Sequence, residues 1–214
     1  MPARFQLLIF DLDGTLIDSS LDLAHAMNAA MRHFGFPEHN VEEVRSFVGD
    51  GASKLVERAL PEGHKDKLEE GKKVFLDYYE EHCLEFTKPY EGVEEMLDAL
   101  VGVPKAIATN KPEYLAKKIV EGLGWNDTFL QLLGGDSLAE RKPDALVVRT
   151  ICDRIGISPA GTLMIGDGPQ DVGAGKNAGA FTCGVTWGFR GEELLRGTGP
   201  TYLINHPLEL VQIL

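Results

Sequence analysis

The sequence predicts an α/β fold: a doubly wound, mainly parallel sheet with a small α-helical cap domain inserted after its first strand. Three observations carry this expectation. Short apolar runs alternate with amphipathic helical patterns from residue 88 onward. One further apolar run, residues 6–10, stands alone near the N-terminus. The roughly seventy residues between them have helical periodicity and no convincing strand.

The elements follow in order. Residues 6–10 end abruptly at Asp11, as a strand buried on both faces does. Asp18, Ser19 and Ser20 supply helix N-caps, Leu23, Met27, Ala30, Met31 and Phe34 recur at helical spacing, and Gly35 marks the stop. Residues 41–48 and 52–60 read as short helices around Gly49-Asp50-Gly51. Leu68, Phe75, Tyr79, His82 and Phe86 mark one face of a long helix. Beyond Lys88-Pro89-Tyr90, helices are expected over 92–100, 113–122, 144–155, 171–178 and from Pro207. Strands are expected over 105–108, 130–133, 162–165, 181–185 and 203–204. The stretch from Trp187 to Pro200 reads as an ordinary connection with packed aromatics, in preference to a surface loop near the site or a subunit contact. The expected domains are a core of residues 1–17 and 88–214 and a helical unit of residues 18–87.

Composition narrows the function. Hydrophobic content of 43% and charged content of 25% suit a globular chain, and no segment approaches the ~20 consecutive apolar residues of a membrane helix. The segment Met1 to Phe10 has one basic residue, Arg4, and no small-residue cleavage site follows, so no signal peptide is expected. Cys83, Cys152 and Cys183 are far apart, odd in number and form no Cys-x-x-Cys pair, which points to a reducing cytoplasm. A net charge of −12 argues against nucleic acid as a partner, because nucleic acid selects basic faces. The same charge requires any phosphate ligand to be met by locally placed cations. The sequence leaves both monomer and homodimer open.

Four strand ends carry the chemistry. Asp11-Leu12-Asp13-Gly14-Thr15 places two carboxylates at i and i+2, and Gly14 permits a tight turn whose backbone N–H groups can face an anion; a solvated Asp-Gly turn has the same spelling. Thr109-Asn110-Lys111 ends the second strand with a hydroxyl and an amide suited to phosphate oxygens, although Asn110 also suits a helix cap. Lys142 precedes Pro143, placed for the first turn of the next helix, and Asp144; it is the cation that a phosphate site requires, or a solvated lysine. Asp167 and Asp171 follow the strand ending near Ile165 and can flank one cation; Asp171 equally suits a helix N-terminus. In such sheets ligands bind at the carboxyl ends of the strands, where all four segments fall.

Taken together, these segments resemble the four motifs of the haloacid dehalogenase-like hydrolase superfamily over essentially the whole chain, with the insertion similar to its helical cap. The resemblance implies a Mg²⁺-dependent phosphatase with Asp11 as covalent nucleophile and Asp13 as acid and then base. It implies Asp11, Asp167 and the Asp13 carbonyl as metal ligands, Lys142 and Thr109 as catalytic partners, and Thr15 and Asp171 as supporting residues. Gly14 and Asn110 are expected against the substrate phosphate. Thr15 is associated with phosphatases rather than mutases. One departure stands out: Gly168 occupies a position where the superfamily usually has Ser or Thr.

Residues 47–60, with the helix start at 18–24, resemble phosphoglycolate phosphatases, which implies 2-phosphoglycolate as the small phosphorylated substrate. Lys54 and Arg58 share a helix face at i and i+4, where either can bind a small carboxylate or simply be solvated. Other phosphatases, pyrophosphatases and phosphomutases of the superfamily remain alternatives. So does a phosphoacceptor signalling domain, against which Gly14-Thr15 and the large insertion argue.

Overall fold

The computed structural model describes residues 5–214; Met1–Arg4, part of the segment read for a signal peptide and of the expected core, lie outside the described residues. Strand β1 (Leu7–Phe10) is followed by β2 (Ile17–Asp18). Four helices come next: α1 (Ser20–Phe34), α2 (Val41–Phe47), α3 (Ala52–Ala59) and α4 (Leu68–His82). Then β3 (Lys88–Pro89) pairs antiparallel with β2. The remaining elements alternate: α5 (Val93–Ala99), β4 (Lys105–Ala108), α6 (Glu113–Gly122), β5 (Gln131–Leu133), α7 (Leu146–Ile155), β6 (Thr162–Gly166), α8 (Pro169–Ala178), β7 (Phe181–Val185), α9 (Glu192–Thr198), β8 (Tyr202–Ile204) and α10 (Glu209–Gln212).

Six strands make one Rossmann-like sheet in the order β5-β4-β1-β6-β7-β8, with every neighbouring pair parallel. The chain builds outward from β1 to one side through β4 and β5, then to the other through β6, β7 and β8. The strand order therefore reverses at β1, where a crevice opens at the carboxyl edge. Alternation along the strands divides the apolar residues between two layers. Leu7, Ile9, Ala106, Ala108 and Met164 meet Val147, Val148 and Ile151 of α7 and Ala174 of α8. Leu8, Phe10, Ile107, Leu163 and Ile165 face the layer that contains α5 and α6. Leu23, Met27 and Met31 of α1 and Phe75 and Tyr79 of α4 belong to that second cluster, so the helical segment shares a core with the sheet. Cys83, Cys152 and Cys183 are free and buried. Among the described residues no helix is long and apolar enough to cross a membrane.

Four details differ from expectation. The β2–β3 ribbon has two residues per strand, too few to display a period of two in sequence. Helix α9 falls where a plain connection was expected; Gly191, Gly197 and Gly199 mask its short apolar face. Helix α7 begins at Leu146, so Pro143 lies in the loop ahead of it rather than in its first turn. Phe86 lies past the end of α4, and its backbone N–H donates to Asp22 instead.

Asp22 connects the two ends of the helical segment. It sits in the first turn of α1, is fully buried, and accepts from the Phe86 N–H (3.1 Å), the Thr87 N–H (2.8 Å) and the Thr87 hydroxyl (2.7 Å). Removing the carboxylate leaves these donors without a partner. Asp22→Ala is expected to destabilise the fold by about 3 kcal/mol, measured as a fall in the urea midpoint at unchanged m-value.

Candidate active site

Strand register sets the site. Phe10 lies opposite both Ile107 and Ile165, and the Asp11 N–H continues the ladder to the Ile165 carbonyl at 2.8 Å. The first residues beyond β1, β4 and β6 are Asp11, Thr109 and Asp167, and they emerge side by side at the crevice. Asp171 lies within the first turn of α8, where the helix N-terminus favours a carboxylate. Asp11, Asp167 and Asp171 each bring an oxygen to within 4.8 Å of the others.

Crowding of this kind raises the proton affinity of Asp11 and Asp167. Burial first, and the charge of Asp171 next, push the Asp11 carboxyl up to about 7, against the opposing pull of Lys142. Burial, then Asp171 and Asp11, push Asp167 well above the usual carboxylate range. Lys142 is the counter-charge. Its ammonium contacts Asp171 Oδ1 at 2.6 Å, Asp11 Oδ1 at 2.9 Å and the Ala108 carbonyl at 2.6 Å. Burial works against its charge, but Asp11 and Asp171 outweigh burial and hold its pKa above the ordinary lysine value.

Asp13 faces a different part of the cavity. Its Oδ1 accepts from the Ser19 hydroxyl at 2.5 Å and the Lys111 ammonium at 2.7 Å. Gly14 has φ +80°, and a Cβ there would overlap the Asp167 carboxylate, so the turn admits only glycine. The Gly14 N–H donates to the Ile17 carbonyl at 2.9 Å, so the turn itself uses the donor expected to face an anion. Thr109 lines the cavity, and its hydroxyl oxygen accepts the Lys111 N–H at 3.2 Å. The Thr15 hydroxyl is buried without a hydrogen-bond partner, and its carbonyl accepts from the Trp187 indole at 3.0 Å.

Asn110 neither caps α6 nor offers a free amide to a ligand. Its amide N–H groups reach the carbonyls of Gly49 (2.8 Å) and Lys142 (3.1 Å), and its oxygen accepts the Lys142 N–H (3.1 Å). It braces the Lys142 loop against the helical segment. Gly168, lacking the family hydroxyl, contributes its backbone N–H to Asp171 Oδ2 at 3.0 Å. Lys54 pairs with Glu57, and Arg58 with Asp50 and the Phe47 carbonyl; neither lines the cavity.

Sequence reasoning left Lys142 as the sole side-chain cation of the site. The structure adds two. Lys111 and Arg190 both line the cavity. Lys111 also donates to the Tyr79 hydroxyl at 2.8 Å. Arg190 follows β7 and reaches the carbonyls of Ser46 and Val48, while the Phe189 N–H beside it donates to Asp167 Oδ2 at 2.7 Å. The available signal was position: both lysine and arginine come shortly after a strand that ends at the chemical edge of the sheet. Above the carboxylates, Leu23, Leu55, Phe75, Leu76 and Leu115 give the cavity an apolar wall.

The protein is a doubly wound α/β protein with clustered acidic residues at its strand ends. The family model for the haloacid dehalogenase-like hydrolases matches residues 8–185, and the chain belongs to that family. A phosphoglycolate phosphatase from Psychrobacter arcticus is 39% identical over 219 residues, covering 98% of this chain and 95% of that protein. One from Neisseria gonorrhoeae is 42% identical over 197 residues, covering 89% and 84%. The crystal structure of a predicted phosphoglycolate phosphatase from Haemophilus somnus superposes with a TM-score of 0.92 at 30% identity, covering 100% of this chain and 99% of that one.

The raised Asp11 pKa has a consequence for stability. Its native value of about 7 exceeds the ordinary aspartate value of 3.8, so the native state binds this proton more tightly than the unfolded chain. The stabilisation it gives is present at low pH and is lost as pH rises through about 7. In chelator-treated protein, Asp11→Asn is therefore expected to be stabilising, with a gain about 2 kcal/mol larger at pH 8 than at pH 5. Urea unfolding at the two pH values checks this.

Proposed function

We propose that the protein is a magnesium-dependent phosphatase that hydrolyses 2-phosphoglycolate through a phosphorylated Asp11. The observation that carries the reading is the close grouping of Asp11, Asp167 and Asp171 around Lys142 at the carboxyl edge, with Asp13 beside them. The relatives named phosphoglycolate phosphatase support the choice of substrate.

The donor set fits Mg²⁺. Asp11 commits Oδ1 to Lys142 and the Leu12 N–H, and Asp167 commits Oδ2 to the Phe189 N–H, which leaves one hard oxygen on each. Their raised proton affinity is the mark of negative charge in need of a cation. Asp171 is already committed to Lys142 and Gly168, so Asp11 and Asp167 would hold the metal with the Asp13 carbonyl. Mg²⁺ there supplies charge neutralisation for the phosphate oxygens.

The protein's own groups account for the remaining steps. A carboxylate oxygen of Asp11 attacks phosphorus while the bond from phosphorus to the ester oxygen breaks. Asp13 gives its proton to that oxygen, and glycolate leaves. Asp13, now a carboxylate, takes a proton from water as the water oxygen attacks the phosphoryl group and frees Asp11. Lys142 favours the ionised form of Asp11 and aims it. Thr109 orients the phosphoryl group. Residues 18–87 act as a cap that excludes water and holds the organic part of the substrate.

Asp11→Asn is expected to lower turnover at least ~1,000-fold while the circular dichroism spectrum is retained; normal turnover in that variant would rule out the covalent route. Asp13→Asn is expected to slow both half-reactions by about 100-fold or more, read by single-turnover kinetics. In a panel of small phosphate esters, release is expected to require Mg²⁺ and stop with chelator. 2-Phosphoglycolate is expected to lead in kcat/KM by at least ~10-fold, or about 1.4 kcal/mol.

A further inference from the structure

The buried ammonium of Lys111 has no task in the chemistry described so far. Its side chain is 4% exposed, and it lies between Asp13 of the sheet edge and Tyr79 of α4. Its Nζ also stands over the Tyr79 ring, 4.6 Å from the centroid, where the aromatic face stabilises a cation. We propose that Lys111 recognises the carboxylate of the substrate and so sets selectivity for a phosphorylated hydroxy acid. This role rests on the phosphatase reading above.

Three observations carry it. An ammonium has three N–H donors; Asp13 and Tyr79 take two, and Lys111 itself borders the cavity, which leaves the third for a ligand. Position is the second. In 2-phosphoglycolate a single methylene separates the carboxylate from the ester oxygen that Asp13 protonates. A cation that binds this carboxylate must therefore sit beside Asp13, and Lys111 touches it at 2.7 Å. Arg190 lies near Asp167 instead, with its guanidinium committed to Ser46 and Val48. The third is the surroundings. The cavity wall near Lys111 is built from Leu23, Phe75, Leu76 and Leu115. A carboxylate entering such a wall loses its water and needs a buried counter-charge. Lys54, 57% exposed and paired with Glu57, offers none.

The Tyr79 hydroxyl orients the ammonium from the helical segment. Recognition of the carboxylate thus draws on a residue of the sheet edge and one of α4, and is complete only when the two are together. The contact with Asp13 also places the recognising charge against the group that handles the proton.

The test compares 2-phosphoglycolate with ethyl phosphate, in which a methyl group replaces the carboxylate, using the full chain with Mg²⁺. In wild-type protein 2-phosphoglycolate is expected to be strongly preferred in kcat/KM. Lys111→Met is expected to reduce the ratio of the two kcat/KM values about 100-fold, because the substrate's charge is then buried unpaired. Tyr79→Phe, which keeps the ring and its packing, is expected to reduce the ratio about 5-fold and serves if the lysine variant fails to fold. Losses that are equal for both esters would mean that Lys111 only positions Asp13, and a ratio that survives both substitutions would remove Lys111 from recognition altogether. Equal rates on both esters in the wild-type protein would instead overturn the substrate reading itself.

Discussion

Three carboxylates within 4.8 Å of one another, Asp167 and Asp171 buried and Asp11 nearly so, set the terms for the rest of the molecule. Such a cluster is costly in a low-dielectric interior, and only a fold that is stable elsewhere can hold it. The parallel sheet supplies that support. Its central strands are buried on both faces, so the backbone at Asp11 and Asp167 is fixed by ladder hydrogen bonds and two packed layers. Lys142 offsets part of the repulsion by spending all three of its donors below the nucleophile. What it leaves unbalanced is the affinity of the site for a divalent cation.

The helical segment is joined to this edge by contacts of two kinds. Apolar residues of α1 and α4 continue the core of the upper sheet layer. Polar ties cluster on one short stretch, residues 46–50. Asn110 reaches Gly49, Arg141 and Gln170 reach Asp50, and Arg190 reaches Ser46 and Val48. Four of these five bonds end on backbone carbonyls, those of Ser46, Val48, Gly49 and Asp50. They are individually modest, and solvent can replace them.

Charge is organised on two length scales. The molecule as a whole is strongly acidic, which screens out within about 10 Å in physiological salt. At shorter range Lys111, Lys142 and Arg190 converge on the cavity from three different strand ends. An anionic substrate therefore meets a site whose local charge differs from that of the surface around it. Lys142 pairs with Asp11 and Asp171, Arg190 ties the segment above, and Lys111 pairs with Asp13.

Much of this was legible in the sequence because a buried parallel strand is written as an unbroken apolar run. Where such a run stops at Asp11, Thr109 or Asp167, the position of that residue in space is already given by the rules of parallel sheets. The helical insertion was legible for a similar reason, since α1 and α4 bury one face with a regular period. Short elements were not: the β2–β3 ribbon and α9 contain too few residues to show a period. Nor could sequence assign the long polar side chains. Asn110 has the spelling of a helix cap or a phosphate ligand, and became a brace because Gly49 and the Lys142 backbone lie within its reach. Lys54 and Arg58 looked like a cationic face and turned to Glu57 and Asp50. Lys111 looked like any lysine after a strand, and only the packing of α4 over the edge put Tyr79 and Asp13 around its tip. Sequence determines where a backbone ends its strand, because burial is encoded locally and repeatedly. Tertiary structure decides what a flexible charged side chain does, because its reach takes in several partners, some of them distant in sequence, as Asp13 is from Lys111.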